Sequence, residues 1–350
     1  MGVRPRTLGW VLVLAACKLD VSGVGEDESS SGEGTSGTGS TTASTTAMTT
    51  MPTTGATEAT TTAPTSTTDA TGSETIGPET ETADDSTGDP ELGPFDDAVP
   101  LPGLVNSGAV EDDPTLRGDM LEIYFSRTMG PPHTEDIYRA TRGSLTEDFA
   151  GVERVDELSI MDFADASPEI SSDGLVISFS GQWPDGPGAN DVMISTRKDL
   201  HSPWAEPARI DELTTPSDDG SLATNGDGTV GYLCRDFGGG PYWELMRTTY
   251  AGSWADAVAL DGLNSDGKDC SPWLDADETE LWFSSVRPGS FAGENIWRAA
   301  IVAGDTAAPV AVDELNTDGR DEDPWISPDG RTIVFASDRG GDFDLWTATR

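Results

Sequence analysis

Asp323-Pro324-Trp325-Ile326-Ser327-Pro328-Asp329-Gly330-Arg331-Thr332-Ile333-Val334-Phe335-Ala336-Ser337-Asp338-Arg339-Gly340-Gly341-Asp342-Phe343-Asp344-Leu345-Trp346 is the stretch on which the fold turns. Asp-Gly between two apolar runs supplies the positive φ angles of a tight hairpin turn. Ile333 to Ala336 is apolar at consecutive positions, as expected of a strand with both faces covered. The same frame occurs four more times upstream, anchored at Asp119, Asp173, Asp227 and Asp277, so that successive anchors lie 54, 54, 50 and 52 residues apart. Five residues before the anchor stands Pro114, Pro168, Pro272 or Pro324, with Leu222 in the third repeat. Asp173-Gly174, Asp227-Gly228 and Asp329-Gly330 keep the full turn signal, whereas Asp119-Met120 and Asp277-Glu278 depart from it.

Each repeat reads as four strands. The first runs from the proline toward the turn and the second follows it. A third opens at Asp136, Asp191, Glu244, Asn295 and Asp344, and an outer strand begins near Phe149, Trp204, Trp254 and Ala308. The last repeat reaches Arg350 directly after its third strand, while Phe95-Asp96-Asp97-Ala98-Val99-Pro100-Leu101-Pro102-Gly103-Leu104 matches the Trp254 to Leu263 pattern of an outer strand. Pairing this early strand with the last repeat closes a ring and removes two sheet edges. The expected fold is therefore all-β, a five-bladed β-propeller over residues 95–350 closed by an N-terminal strand.

Upstream of the ring the composition changes. Residues 17–94 are Ser, Thr, Gly, Pro and acid, a composition without the apolar surface to offset ordering entropy, and read as a disordered tether with a mean reach of roughly 45 Å. Arg4 and Arg6, the apolar run Leu8 to Leu14 and small residues before Cys17 read as an export signal over residues 1–16, too short to span a bilayer as a mature helix. Leu14-Ala15-Ala16-Cys17 resembles the lipobox of bacterial lipoproteins, which implies acylation of Cys17. Lys18 in place of an inner-membrane retention aspartate implies the outer membrane, on its periplasmic or surface side.

Asp323 to Gly330, Ile333 to Gly341 and Asp344-Leu345-Trp346 together resemble the PD40 (WD40-like) repeat of TolB-type propellers, strongly in the last repeat and by degrees in the others. That resemblance implies a propeller used for contacts in the bacterial envelope. The chain lacks the N-terminal α/β domain of TolB and has fewer blades, so a Tol-system role does not carry over.

A formal net charge of -43 argues against nucleic acid and anionic membrane as partners. An envelope protein or a glycan is expected instead, bound by a monomer that meets the membrane only through its lipid. Three residues before each proline, or Leu222, stands an acid: Glu111, Asp165, Asp219, Asp269 and Asp321. Five carboxylates at one mouth of the channel make a candidate ring for a cation such as Ca²⁺ or for a partner. The same five would equally cap backbone N–H groups between blades or pair with Arg127, Arg235 or Arg339, in which case no cofactor is expected. Trp183, Trp243, Trp273 and Trp325 are a candidate aromatic rim for stacking on sugar or protein, with blade packing as the plainer use. His133 and His201 lie in different repeats without a repeated nucleophile, which speaks against a nucleophile–base pair. The expectation is a binding module that is not an enzyme. A five-bladed carbohydrate-active enzyme using channel carboxylates is the alternative. Cys234 and Cys270 fall at one mouth of adjacent blades, and a disulfide between them stays open.

Overall fold

The computed structural model describes residues 92–350 apart from 130–133, 161, 185, 221 and 239–242. Cys17, the export signal, the tether up to residue 91 and His133 lie outside the described residues.

Five antiparallel sheets follow one another along the chain, each running from an inner strand at the axis to an outer strand at the rim. The first blade is Val110–Leu116, Glu122–Thr128, Glu135–Thr141 and Ala150–Arg154. The fifth is Asp321–Ile326, Thr332–Ser337 and Asp344–Thr349, completed by Val99–Pro100 from the other end of the domain. The expected ring closure is therefore present, with Val99 opposite Thr347 and Pro100 opposite Trp346. Asn106 extends the clasp, since its side chain donates to the Leu345 carbonyl at 2.9 Å and accepts from the Leu345 N–H at 2.8 Å. Phe95 and Leu101 are buried here, and the Phe95 ring meets Trp282 edge-on at 6.2 Å. Val99 and Leu104 differ from the packed role their apolar character suggests: they are 53% and 69% exposed, because a rim strand buries one face only.

The second strands form the packed layer between blades. Ile123, Phe125, Ile177, Phe179, Phe283, Ile333 and Phe335 are fully buried, as a sheet sandwiched between two others requires. All five hairpins sit where the anchor aspartates predicted. Gly174 and Gly330 take φ of 75° and 69°, and Met120 and Glu278 hold the same turn at 58° and 54° without a glycine. Neighbouring structure compels the turn where the local signal is missing.

One expectation needs revision. Inner strands begin at the acid, not at the proline, and the proline sits in a β-bulge where two inner residues oppose one of the second strand. Asp113, Ser167, Ser271 and Asp323, each just before that proline, take φ of 50–55°. Proline suits the bulge because it has no N–H to leave unpaired. In the third blade, which has Leu222 instead, the inner strand is split into Asp218–Asp219 and Ala223–Thr224.

Candidate functional site

The five acids of the repeat frame do not open onto a common site. Each is fully buried at a seam between blades. Glu111 pairs with Arg127 at 2.8 Å, and Asp219, Asp269 and Asp321 pair with Arg235, Arg287 and Arg339 at 2.5 Å. Each of these arginines also donates to the carbonyl that closes the preceding outer strand, at Val105, Leu213, Leu263 or Leu315. Backbone N–H groups of Ser107, Thr215, Ser265 and Thr317 complete the carboxylates. With their oxygens taken by protein donors, these acids act as staples between blades and present no converging ligand set. The second blade has no arginine at this place. Asp165 accepts from the Ile160 N–H and the Trp183 indole instead, and burial pushes its carboxyl up to about 6 against those two bonds.

Carboxylates that do face the axis come from the bulges, one and two residues beyond the stapling acid. The inserted residue re-aims the strand so that Asp112 and Asp113 of the first blade approach Asp323 of the fifth, with side-chain oxygens of all three within 4.8 Å of one another. Among the described residues no other three such ligands converge this closely. Asp113 also accepts from Ser126 at 2.9 Å and from the Ser167 N–H of the next blade at 3.1 Å. Glu135, Glu322 and Glu169 border the same mouth, a cavity of about 350 Å³ that also holds Lys268 and Arg320.

So many acids in a poorly hydrated space resist ionisation. Burial, then the charge of Asp323, raises Asp112 and Asp113 well above the usual carboxylate range. Burial and Asp323 push Glu135 up to about 7, and burial with Glu294 pushes Glu322 up to about 8. Lys268 lies 3.0 Å from Glu294 and 3.7 Å from Glu322; burial works against its charge, but these carboxylates overcome it and hold the ammonium well above its usual range. Chemically the mouth offers hard oxygen ligands of the kind Ca²⁺ takes, a counter-charge for an ammonium or guanidinium, and carboxyl groups of unlike protonation.

At the opposite mouth, beside the hairpin turns, a second cavity of about 520 Å³ is lined by Trp273, Trp325 and Glu169 among others. Glu169 borders both cavities, so the two mouths meet at this residue. The four tryptophans of the expected rim are consequently divided. Trp243 lines the acidic mouth, Trp273 and Trp325 line the other, and Trp183 is spent on Asp165. Cys234 and Cys270 are bonded to each other, with Cα atoms 5.1 Å apart, and border the acidic mouth across the seam of the third and fourth blades.

No known protein-family pattern matches the sequence, and no curated protein is recognisably similar to it. Its structural neighbours include TolB β-propellers and glycoside hydrolases. The putative TolB from Agrobacterium tumefaciens is 19% identical with a TM-score of 0.43, over 66% of this chain and 71% of that one. The catalytic domain of the Coprinopsis cinerea GH62 α-L-arabinofuranosidase is 11% identical with a TM-score of 0.51, over 73% of this chain and 96% of that one. A thermostable family-43 glycoside hydrolase is 12% identical with a TM-score of 0.50, over 70% and 90%. At these identities the likeness establishes a shared β-propeller fold and nothing finer. It does correct one expectation. Because whole catalytic domains have this fold, the reading of the chain as not an enzyme loses its footing.

Proposed function

We propose that this chain is a binding module presented from the bacterial envelope, and that a basic segment of a partner protein seats at the acidic mouth of its channel. The observation that carries this reading is the imbalance of charge there. Asp112, Asp113, Glu135, Glu169, Glu322 and Asp323 share the cavity with only Lys268 and Arg320 as cations among its described lining residues. An entering ammonium or guanidinium would relieve repulsion that the fold itself leaves in place. Apolar side chains on the loops after the second strands support a protein partner over a bare ion: Met129 is 54% exposed, Phe237 53%, Val286 42% and Phe291 45%. Val286 is fixed beside the well by its N–H bond to the Lys268 carbonyl at 3.1 Å.

Calorimetric titration of the full chain with a lysine-rich tetrapeptide tests the reading. Affinity should fall about tenfold in the paired variant Asp112→Asn, Asp323→Asn and should weaken with added salt. Unchanged affinity in that variant, or Ca²⁺ binding that the peptide fails to displace, would sink it. Anchoring through Cys17 belongs to the same proposal and is tested separately by incorporation of labelled fatty acid into wild type and Cys17→Ser.

A second reading, a carbohydrate-active enzyme, is favoured by the unlike protonation of carboxyls in one polar channel, since glycoside hydrolysis needs a protonated acid and an ionised partner. Release of reducing sugar from arabinan or arabinoxylan, abolished in Glu322→Gln, would establish it.

A further inference from the structure

The wall of the channel carries one ring of positions of which the acidic mouth uses only Glu169. Immediately after the bulge proline, or after Leu222, each inner strand presents one residue paired with the second strand: Thr115 opposite Tyr124, Glu169 opposite Ser178, Ala223 opposite Tyr232, Trp273 opposite Trp282, and Trp325 opposite Val334. If these side chains served packing alone, similar residues would recur around the ring. Instead the two bulkiest stand in neighbouring blades, and the other three positions hold small or polar groups. The unfilled space is the 520 Å³ cavity, a size typical of small-molecule sites, which run from about 300 to 1,000 Å³.

Both indoles belong to one packed cluster, Trp325 almost fully buried and Trp273 partly so. Among the described residues neither indole N–H meets a protein acceptor, in contrast to Trp282, which donates to Glu280 at 2.8 Å, and Trp204, which donates to Tyr124 at 3.1 Å. The buried indole N–H groups left without an acceptor are those of Trp297 and Trp346, so those of Trp273 and Trp325 are open to the cavity. Across the ring, Glu169 receives the Thr115 hydroxyl at 3.4 Å. An aromatic wall facing polar groups over a gap suits a molecule with apolar faces and hydroxyl edges.

We infer that the mouth lined by Trp273, Trp325 and Glu169 is a binding site for an uncharged sugar. The site shares Glu169 with the acidic mouth, but Trp273 and Trp325 lie outside that mouth, so the Trp273 variants test this site alone. Burial and the nearby Asp113 raise Glu169 well above its usual range, and in its protonated form the carboxyl donates to a hydroxyl or ring oxygen.

The full chain is titrated calorimetrically with arabinotriose, xylotriose, cellotriose and maltotriose, and with tetramethylammonium as the cationic counterpart. At least one trisaccharide should bind, with affinity about tenfold weaker in Trp273→Ala, as loss of one stacking face implies, and unchanged in Trp243→Ala at the other mouth. Glu169→Gln, which keeps a donor, should retain binding, and Glu169→Leu should lose it. Circular dichroism establishes that each variant is folded, and Trp273→Leu replaces Trp273→Ala if the latter is not. Failure of all four sugars to bind, tighter binding of tetramethylammonium, or full affinity in a folded Trp273 variant would each overturn the assignment.

Discussion

The Trp183 indole donates to Asp165 at 3.0 Å in the place where the other four blades set an arginine. Four stapling acids thus meet a full positive charge and the fifth meets only a dipole. The seam between the first and second blades is consequently sensitive to pH in a way the others are not. Asp136 faces Asp165 and raises its affinity for a proton, while Arg154 opposes this. With a folded pKa of about 6 against about 3.9 unfolded, Asp165 holds its proton more tightly in the folded state. Its contribution is full below pH 4 and is lost as the pH rises through 6, to a limit of about 2–3 kcal/mol. Asp165→Asn forgoes one of two accepted bonds but carries no charge. Thermal unfolding of wild type and Asp165→Asn should show the variant gaining ground between about pH 4 and 7 and levelling off above; a constant gap between the two would contradict the assignment.

Lys268 predicts an effect with a different pH signature. Glu294 and Glu322 are each only 4% exposed, and Lys268 is the cation they share. Lys268→Met should cost about 3–5 kcal/mol, the usual result of leaving buried charge uncompensated. Because Glu322 takes up a proton near pH 8, the loss should be smaller at pH 6 than at pH 9. Urea unfolding at the two pH values measures both.

Ring closure can be broken by a single side chain. Phe95 is 5% exposed against Trp282, with the Arg350 guanidinium 4.3 Å above its ring. Phe95→Ala should destabilise by about 3–5 kcal/mol. A chain starting at residue 92 should melt as the full chain does, whereas one starting at residue 107 should melt far lower, having lost Asn106 and the strand at Val99–Pro100. Equal melting of the two would mean that the clasp contributes nothing.

The cysteine pair gives the fourth prediction. Cys234 and Cys270 lie 36 positions apart, so cross-linking them should stabilise by about 2–4 kcal/mol through the unfolded state. Mass spectrometry of protein purified without reductant should find both blocked, and Cys234→Ser with Cys270→Ser should lower the melting temperature.

Repetition made the scaffold readable and hid the site. The anchor aspartates, the bulge prolines and the surplus strand at Phe95 recur or complete a recurrence, so aligning repeats was enough to count blades and close them. Asp112, Asp113, Glu322 and Asp323 escaped the same reading because they stand beside the recurring acid, in two blades only. The recurring acids were the conspicuous ones, yet burial commits them to arginines and backbone. Nothing local in the sequence reveals the bulge that turns the neighbouring residues toward the axis. The substitution of Trp183 for arginine was visible, but its partner Asp165 could be named only once the seam was seen.

The clasp at Val99–Pro100 also has a consequence for the order of events during synthesis. The strand that completes the fifth blade leaves the ribosome before any other strand of the ring, while Trp346 and Thr347, which it must pair with, lie in the last-made strand of the ring. Each of the first four blades can assemble from contiguous chain as it emerges, but the final one cannot be completed until every other strand of the ring has been made. Its closure spans the whole domain and is the slowest kind of contact to find. Until then the unpaired edge of Val99–Pro100 and the buried face of Phe95 stay uncovered, so the nascent domain has most need of chaperoning at its first-made strand.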